Sequence, residues 1–166
     1  MRNLVAFPIL LLAVIVQSAV ISRIPLLSGF ADLPLVLVTA WALQPRVTTA
    51  WHWALLAGAL TAFMSGLPVG VPIAGFLLAA GLAQAFRRRV WQAPLLAMLI
   101  VIFLASMLYY SLSFLVLSLF GASLSLSTSF SQIVLPGVLL NLFLAVTVFW
   151  FVRDLALWVY PTEEEV

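Results

Sequence analysis

The sequence predicts an all-α integral membrane protein, folded as one bundle of six transmembrane helices over residues 1–166. Two observations predict this class. Hydrophobic residues make up 66% of the chain and charged residues only 7%, whereas a soluble domain carries charge on about a quarter of its residues. Apolar runs also recur along the whole chain, separated by short segments that contain proline, glycine or arginine.

Six apolar runs are long enough to count as helices, and the second of them is too short to cross a membrane alone. The predicted helices cover approximately residues 4–21, 33–43, 50–64, 69–86, 94–120 and 132–152, with an uncharged serine-rich loop over residues 121–131. The first could be a signal peptide, but its length and the lack of a small-residue cleavage site favour a retained helix. The second helix is only about 17 Å long, whereas the hydrocarbon core of a membrane is about 30 Å thick. Either the loop before it dips into the bilayer or the membrane is thinned locally.

The positions of the arginines test whether the chain crosses the membrane six times. Six crossings with the amino terminus inside put Arg23 outside and six arginines inside: Arg2, Arg46, Arg87, Arg88, Arg89 and Arg153. Basic residues accumulate in cytoplasmic loops. The pattern therefore predicts that the second run crosses and that both termini are cytoplasmic. A net charge of only +2 gives no indication of nucleic-acid binding.

Small residues recur at four-residue spacing on the third and fourth helices and again on the sixth. Such stripes lie on one helix face and let helix backbones approach closely. We expect the third and fourth helices to pack as a hairpin through their stripes. The helix-packing candidates are Ala54, Gly58, Ala62, Gly75, Ala79, Ala83, Gly137 and Asn141.

Few polar side chains lie inside the predicted spans. Asn141 indicates either a hydrogen bond across a packed helix interface, which we favour, or a ligand contact. Asp32 indicates either an N-terminal cap of the second helix or a polar contact to a partner or to Arg23. The triple arginine Arg87–Arg89 fits a stop signal with an anionic-lipid contact, or a docking point for a cytoplasmic protein.

The chain offers no catalytic constellation, so we expect a protein that is not an enzyme and uses no cofactor or metal. His52 is the only histidine and there is no cysteine, which leaves no zinc ligand set. No paired carboxylates are available for acid–base chemistry, and no glycine loop of the P-loop type occurs.

Three stretches resemble the bacterial rod shape-determining MreD family. Gln17 is followed by Ala-Asp-Leu-Pro-Leu-Val-Leu from residue 31, similar to the family's P-D-L-x-L start of the second helix. Residues 58–70, GALTAFMSGLPVG, are similar to its G-L-L-x-D-x-x-S-G-x-P-L-G, and Arg87–Arg89 close the fourth helix. The chain departs at Ala62, where the family often has aspartate, and at Pro34, which follows the aspartate instead of preceding it.

The resemblance implies a multi-pass scaffold of the bacterial inner (cytoplasmic) membrane that supports cell shape and side-wall peptidoglycan synthesis. Its implied partner is MreC, and through MreC the SEDS glycosyltransferase, the class B penicillin-binding protein and MreB. The bundle is also similar to the S-components of energy-coupling-factor vitamin transporters, which supply the alternative function. Position and resemblance together nominate Asp32, Gly66, Pro68, Arg87, Arg88 and Arg89 as partner contacts.

Overall fold

The computed structural model describes residues 5–87, 93–123 and 125–160, and every regular element in them is helical. Four of the helices are long and apolar enough to cross a membrane: α1 with its following 3₁₀ turn, α4, α5 and α6. The other two, α2 and α3, are shorter apolar helices. The elements are α1 (Ala6–Ala19, then a 3₁₀ turn Ile21–Arg23), α2 (Leu33–Leu43), α3 (Ala50–Met64), α4 (Gly70–Arg87), α5 (Pro94–Leu119) and α6 (Leu126–Val159).

The shortest helix, α2, is the centre of the bundle. Every residue of α2 except Leu33 is buried, and α2 packs against each of the other helices. Trp41 of α2 stacks on Trp53 of α3, with ring centroids 4.2 Å apart. The start and end of this helix are therefore both enclosed by the rest of the chain.

Helices α3 and α4 pack closely, as expected for a hairpin, and glycine makes the contact possible. A Cβ atom added to Gly58 would lie 2.7 Å from the Cα atom of Ile73 in α4. On the α4 side, a Cβ added to Gly81 would lie 3.2 Å from the ring of Trp51. The stripe residues Ala54 and Ala62 are buried as well.

Gly75, the first residue of the α4 stripe, faces α5, so the expectation that the stripe packs against α3 is wrong at this position. Gly75, Ala79 and Ala83 are all buried, but a Cβ on Gly75 would collide with the ring of Tyr109 in α5. The reason is that α4 packs against α2 and α5 as well as against α3.

Helix α6 is longer than predicted at both ends, which corrects the range 132–152 and the loop over residues 121–131. It begins at Leu126, where the Ser125 hydroxyl accepts a hydrogen bond from the Thr128 N–H at 3.5 Å. Arg153 does not end the helix, because its guanidinium lies over the Trp150 ring at 4.5 Å and its side chain is half exposed. A charge on the surface of a helix does not interrupt it.

Helix α6 carries a π-helical segment, Phe130–Val134, which ends two residues before Pro136. Proline has no N–H and cannot bond the carbonyl four residues earlier, which here belongs to Gln132. The Gln132 oxygen instead accepts a hydrogen bond from the Ser28 N–H at 3.0 Å. This irregularity therefore attaches α6 to the chain that leads into α2.

Candidate functional site

Residues 28–32, here called the approach segment, run alongside α6 and lead into α2. Ser28 bonds Gln132, and the Asp32 N–H donates to the Asn141 side chain. Midway, a Cβ added to Gly29 would lie 2.6 Å from the Gly137 nitrogen, so the two backbones are in contact. The nine residues from Gln132 to Asn141 rise about 13 Å, a distance that four extended residues also cover. The approach segment therefore covers about 13 Å beside α6, in addition to the length of about 17 Å of α2.

Every N–H at the start of α2 has an acceptor, and side chains supply the acceptors. The Asp32 N–H donates to Asn141 Oδ1 at 2.6 Å, and the Leu33 N–H donates to Gln17 Oε1 at 2.8 Å. The Leu35 N–H donates to Asp32 Oδ1 at 3.0 Å, while Pro34 has no N–H. A helix start buried in this way requires such partners. The N-cap interpretation of Asp32 is confirmed.

The carbonyl groups before α2 are bonded by the same set of side chains. Gln17 Nε2 donates to the Ala31 oxygen at 2.8 Å, so that one amide holds two backbone groups. The Tyr110 hydroxyl donates to the Phe30 oxygen at 3.2 Å. Asn141 Nδ2 donates to the Ser106 hydroxyl at 2.9 Å, which ties the network to α5. These side chains thus replace the hydrogen bonds that a helix would have made for itself.

A cavity of about 270 Å³, here called the polar cavity, opens beside this network. Two of its hydroxyl oxygens, Thr61 Oγ1 and Ser65 Oγ, are buried and have no hydrogen-bond partner among the described residues. An unpaired buried hydroxyl is costly, so these two atoms are available to a polar group that enters the cavity. The lining residues are Val14, Gln17, Ser18, Ser22, Phe30, Ala31, Asp32, Pro34, Thr61, Met64, Ser65, Tyr109 and Tyr110.

The nominated residues fall into two groups. Asp32 lines the polar cavity beside Ser65, and Gly66 and Pro68 follow Ser65 in the turn between α3 and α4. A Cβ added to Gly66 would meet no atom within 4 Å, so this part of the turn is open. Arg87 is not near the cavity, and Arg88 and Arg89 lie outside the described residues.

Arg87 lies at the other end of α2. Its Nη1 donates to the Val47 oxygen at 2.8 Å and to the Gln44 oxygen at 3.4 Å, so it binds the loop between α2 and α3. Arg46 and Arg153 line one groove at this same end. Arg23, in contrast, ends the 3₁₀ turn that precedes the approach segment.

The unpaired hydroxyls of Thr61 and Ser65 were not nominated from the sequence. Helical threonine and serine commonly bond a carbonyl in the preceding turn, as Thr39 does with the Leu35 oxygen at 2.7 Å. The sequence does not distinguish a hydroxyl that makes this hydrogen bond from one that does not. The structure distinguishes Thr61 and Ser65 because both hydroxyls are buried without a partner among the described residues and line the same cavity as Asp32.

No protein-family model, curated protein or solved structure matches this chain. Among the described residues, no three His, Cys, Asp or Glu side chains come close enough together to hold a metal ion. The buried network, the polar cavity and the distribution of charge are therefore the features that bear on function.

Proposed function

We propose that this protein is a non-enzymatic membrane scaffold of the MreD kind, which binds the transmembrane helix of MreC within the cell-elongation complex of the bacterial inner membrane. One observation carries the proposal: the open turn and the unpaired hydroxyls of the polar cavity lie together at one end of the bundle. Helices associate in lipid through close packing and a few interhelical hydrogen bonds. This end of the molecule offers both.

The proposed contact surface is the turn between α3 and α4 together with the mouth of the polar cavity. Phe63 is 89% exposed beside this turn, and Met64 and Val69 are also exposed. A partner helix lying here covers these apolar side chains and brings one polar group within reach of Thr61 and Ser65. The interaction with MreC would connect the chain indirectly to the SEDS glycosyltransferase, the class B penicillin-binding protein and MreB.

The proposal includes six membrane crossings with both termini cytoplasmic. The approach segment adds enough length to α2 for about 30 Å in total, equal to the thickness of the hydrocarbon. Arg46, Arg87 and Arg153 at one end of the bundle fit the excess of basic residues on the cytoplasmic side.

Because the chain has no cysteine, single cysteines at residues 48 and 122 test this orientation. An impermeant thiol reagent applied from outside should label only the cysteine at residue 122.

The alternative function is that of a vitamin-binding S-component, and the polar cavity is the feature that favours it. Its volume of about 270 Å³ is below the 300–1,000 Å³ that is usual for sites that enclose a small organic ligand. Most of its amide and phenol groups also hold the chain's own backbone. We therefore prefer a partner's side chain as the occupant.

The test is affinity capture of the tagged chain from mild-detergent extracts of its own host, followed by mass spectrometry. We expect MreC and the cell-wall synthases to be recovered. Recovery of ATPase subunits with a coupling membrane protein would overturn the proposal in favour of the S-component.

A matched pair of variants then tests the contact surface. Gly66→Leu adds bulk in the open turn and should reduce recovery of MreC at least fivefold without changing the stability of the chain. Ala122→Leu places the same leucine side chain in the exposed loop between α5 and α6 and should leave recovery unchanged. Equal recovery with both variants would exclude this turn as the contact.

A further inference from the structure

We propose that the end of the bundle opposite the polar cavity holds one anionic phospholipid in a defined groove between α5 and α6. The groove, here called the arginine groove, has a volume of about 410 Å³. Pro94 and Leu95 of α5 form one wall, Phe149 and Ala156 of α6 form another, and Arg46 and Arg153 are at its polar edge. This inference is independent of the proposed function.

The interior of the arginine groove suits an acyl chain. Its walls consist of apolar side chains, and Phe149 and Ala156 are buried beneath it. Trp150 also lines it and is half exposed, at 47%. Tryptophan settles where lipid tails meet head groups, so Trp150 indicates the level at which a bound lipid changes from tail to head.

The charges at the edge of the groove select an anionic head group. Arg46 has no hydrogen bond or ion pair with any residue in the part of the chain that the structure describes. Among the described residues, the ion-pair partner of Arg153 is Asp154, at 3.6 Å and with both side chains exposed, and exposed ion pairs are worth little in water. The Arg153 guanidinium also lies over the Trp150 ring. Asp32, the other described carboxylate, is at the opposite end of α2. Among the described residues, no carboxylate other than that of Asp154 therefore lies near this positive charge.

An anionic phospholipid satisfies both halves of the site at once. Its phosphate can accept hydrogen bonds from two guanidinium groups, which suit phosphate geometry. Its acyl chain can occupy the apolar interior, which a free phosphate would leave empty. Basic pockets between transmembrane helices bind anionic head groups in this manner.

Native mass spectrometry of the full chain in detergent, titrated with phosphatidylglycerol or phosphatidylcholine, tests the proposal. We expect phosphatidylglycerol to bind at least tenfold more tightly. Since each basic residue near the membrane surface contributes about a fivefold change in affinity, Arg46→Gln and Arg153→Gln should each weaken binding by about that factor. Arg23→Gln, at the other end of the bundle, is the matched control and should leave binding unchanged.

A second variant separates a groove from general attraction to a basic surface. Ala93→Trp inserts a large apolar side chain at the exposed rim of the groove without changing its charge, and should reduce binding of phosphatidylglycerol at least fivefold. If Ala93→Trp bound phosphatidylglycerol with full affinity, the groove would not be the binding site. If Arg23→Gln and Arg46→Gln weakened binding equally, the arginines at the edge of the groove would not select the head group. Circular dichroism and gel filtration of each variant identify any loss of folding.

Discussion

At the start of α2 the backbone is held by side chains of distant helices, whereas at the contact between α3 and α4 the backbones meet with almost no side chain between them. Gln17 and Asn141 supply hydrogen bonds to the chain that enters α2, and Gly58 supplies only space. The difference follows from local structure. Helical backbone satisfies its own polar groups and needs only close packing, while non-helical backbone inside a bundle must find partners elsewhere.

The largest effect on stability is expected for Asn141→Leu. Asn141 is fully buried and bonds both the Asp32 N–H and the Ser106 hydroxyl. Leucine removes both hydrogen bonds and leaves the Asp32 N–H without its acceptor, which should lower the free energy of unfolding by about 3 kcal/mol. Denaturation with SDS, followed by circular dichroism, measures this change.

The control for Asn141→Leu lies on the same helix. Thr147 is exposed on α6, so Thr147→Leu should change the free energy of unfolding by less than about 0.5 kcal/mol. If both variants unfolded at the same SDS concentration, the side-chain network would not be what stabilises the approach segment.

An intermediate effect is expected for Gly58→Ala, which tests the other half of the comparison. The added Cβ would lie 2.7 Å from the Ile73 Cα atom, so α3 and α4 must move apart. Forced separation of well-packed elements should cost about 1.5 kcal/mol. Gly66→Ala is the matched control, because its Cβ meets open space; a similar loss in both variants would show that glycine acts there through chain flexibility and not through contact.

The smallest effect is expected for Asp32→Ala, which removes one acceptor from the start of α2. Loss of an N-cap side chain costs about 1 kcal/mol, less than the loss at Asn141, since only the Leu35 N–H is left without its partner. Asp32→Asn keeps an acceptor oxygen and should retain most of the stability. Thermal unfolding of the two variants in detergent distinguishes them, and an equal loss in both would mean that the charge at Asp32, and not its cap, is what matters.

Much of the helical organisation could be predicted because it depends on local sequence. The bounds 33–43 and 50–64 agree with α2 and α3, since Asp32 with Pro34 and the proline after Gln44 are local signals. The end of α6 could not be predicted from Arg153, because a charged residue can end the apolar span of a helix without ending the helix itself.

The network could not be predicted because its members are far apart in sequence. Asp32 and Asn141 are separated by 109 positions, and the sequence around either residue does not indicate that it contacts the other. The sequence did indicate that Asn141 packs among helices. Asn141 also binds the backbone at the start of α2, and this contact depends on the irregular path of the approach segment. That path cannot be predicted from the periodicity of apolar residues.

The attachment of the approach segment to α6 has a consequence for how the protein is made. When α2 leaves the ribosome, the acceptor for the Ser28 N–H and the acceptor for the Asp32 N–H have not yet been synthesised, because both belong to α6. Until α6 arrives, those backbone groups must remain with water or with the insertion machinery. The helix at the centre of the bundle is therefore the second to be translated, but the acceptors for these two N–H groups exist only once α6 has been made.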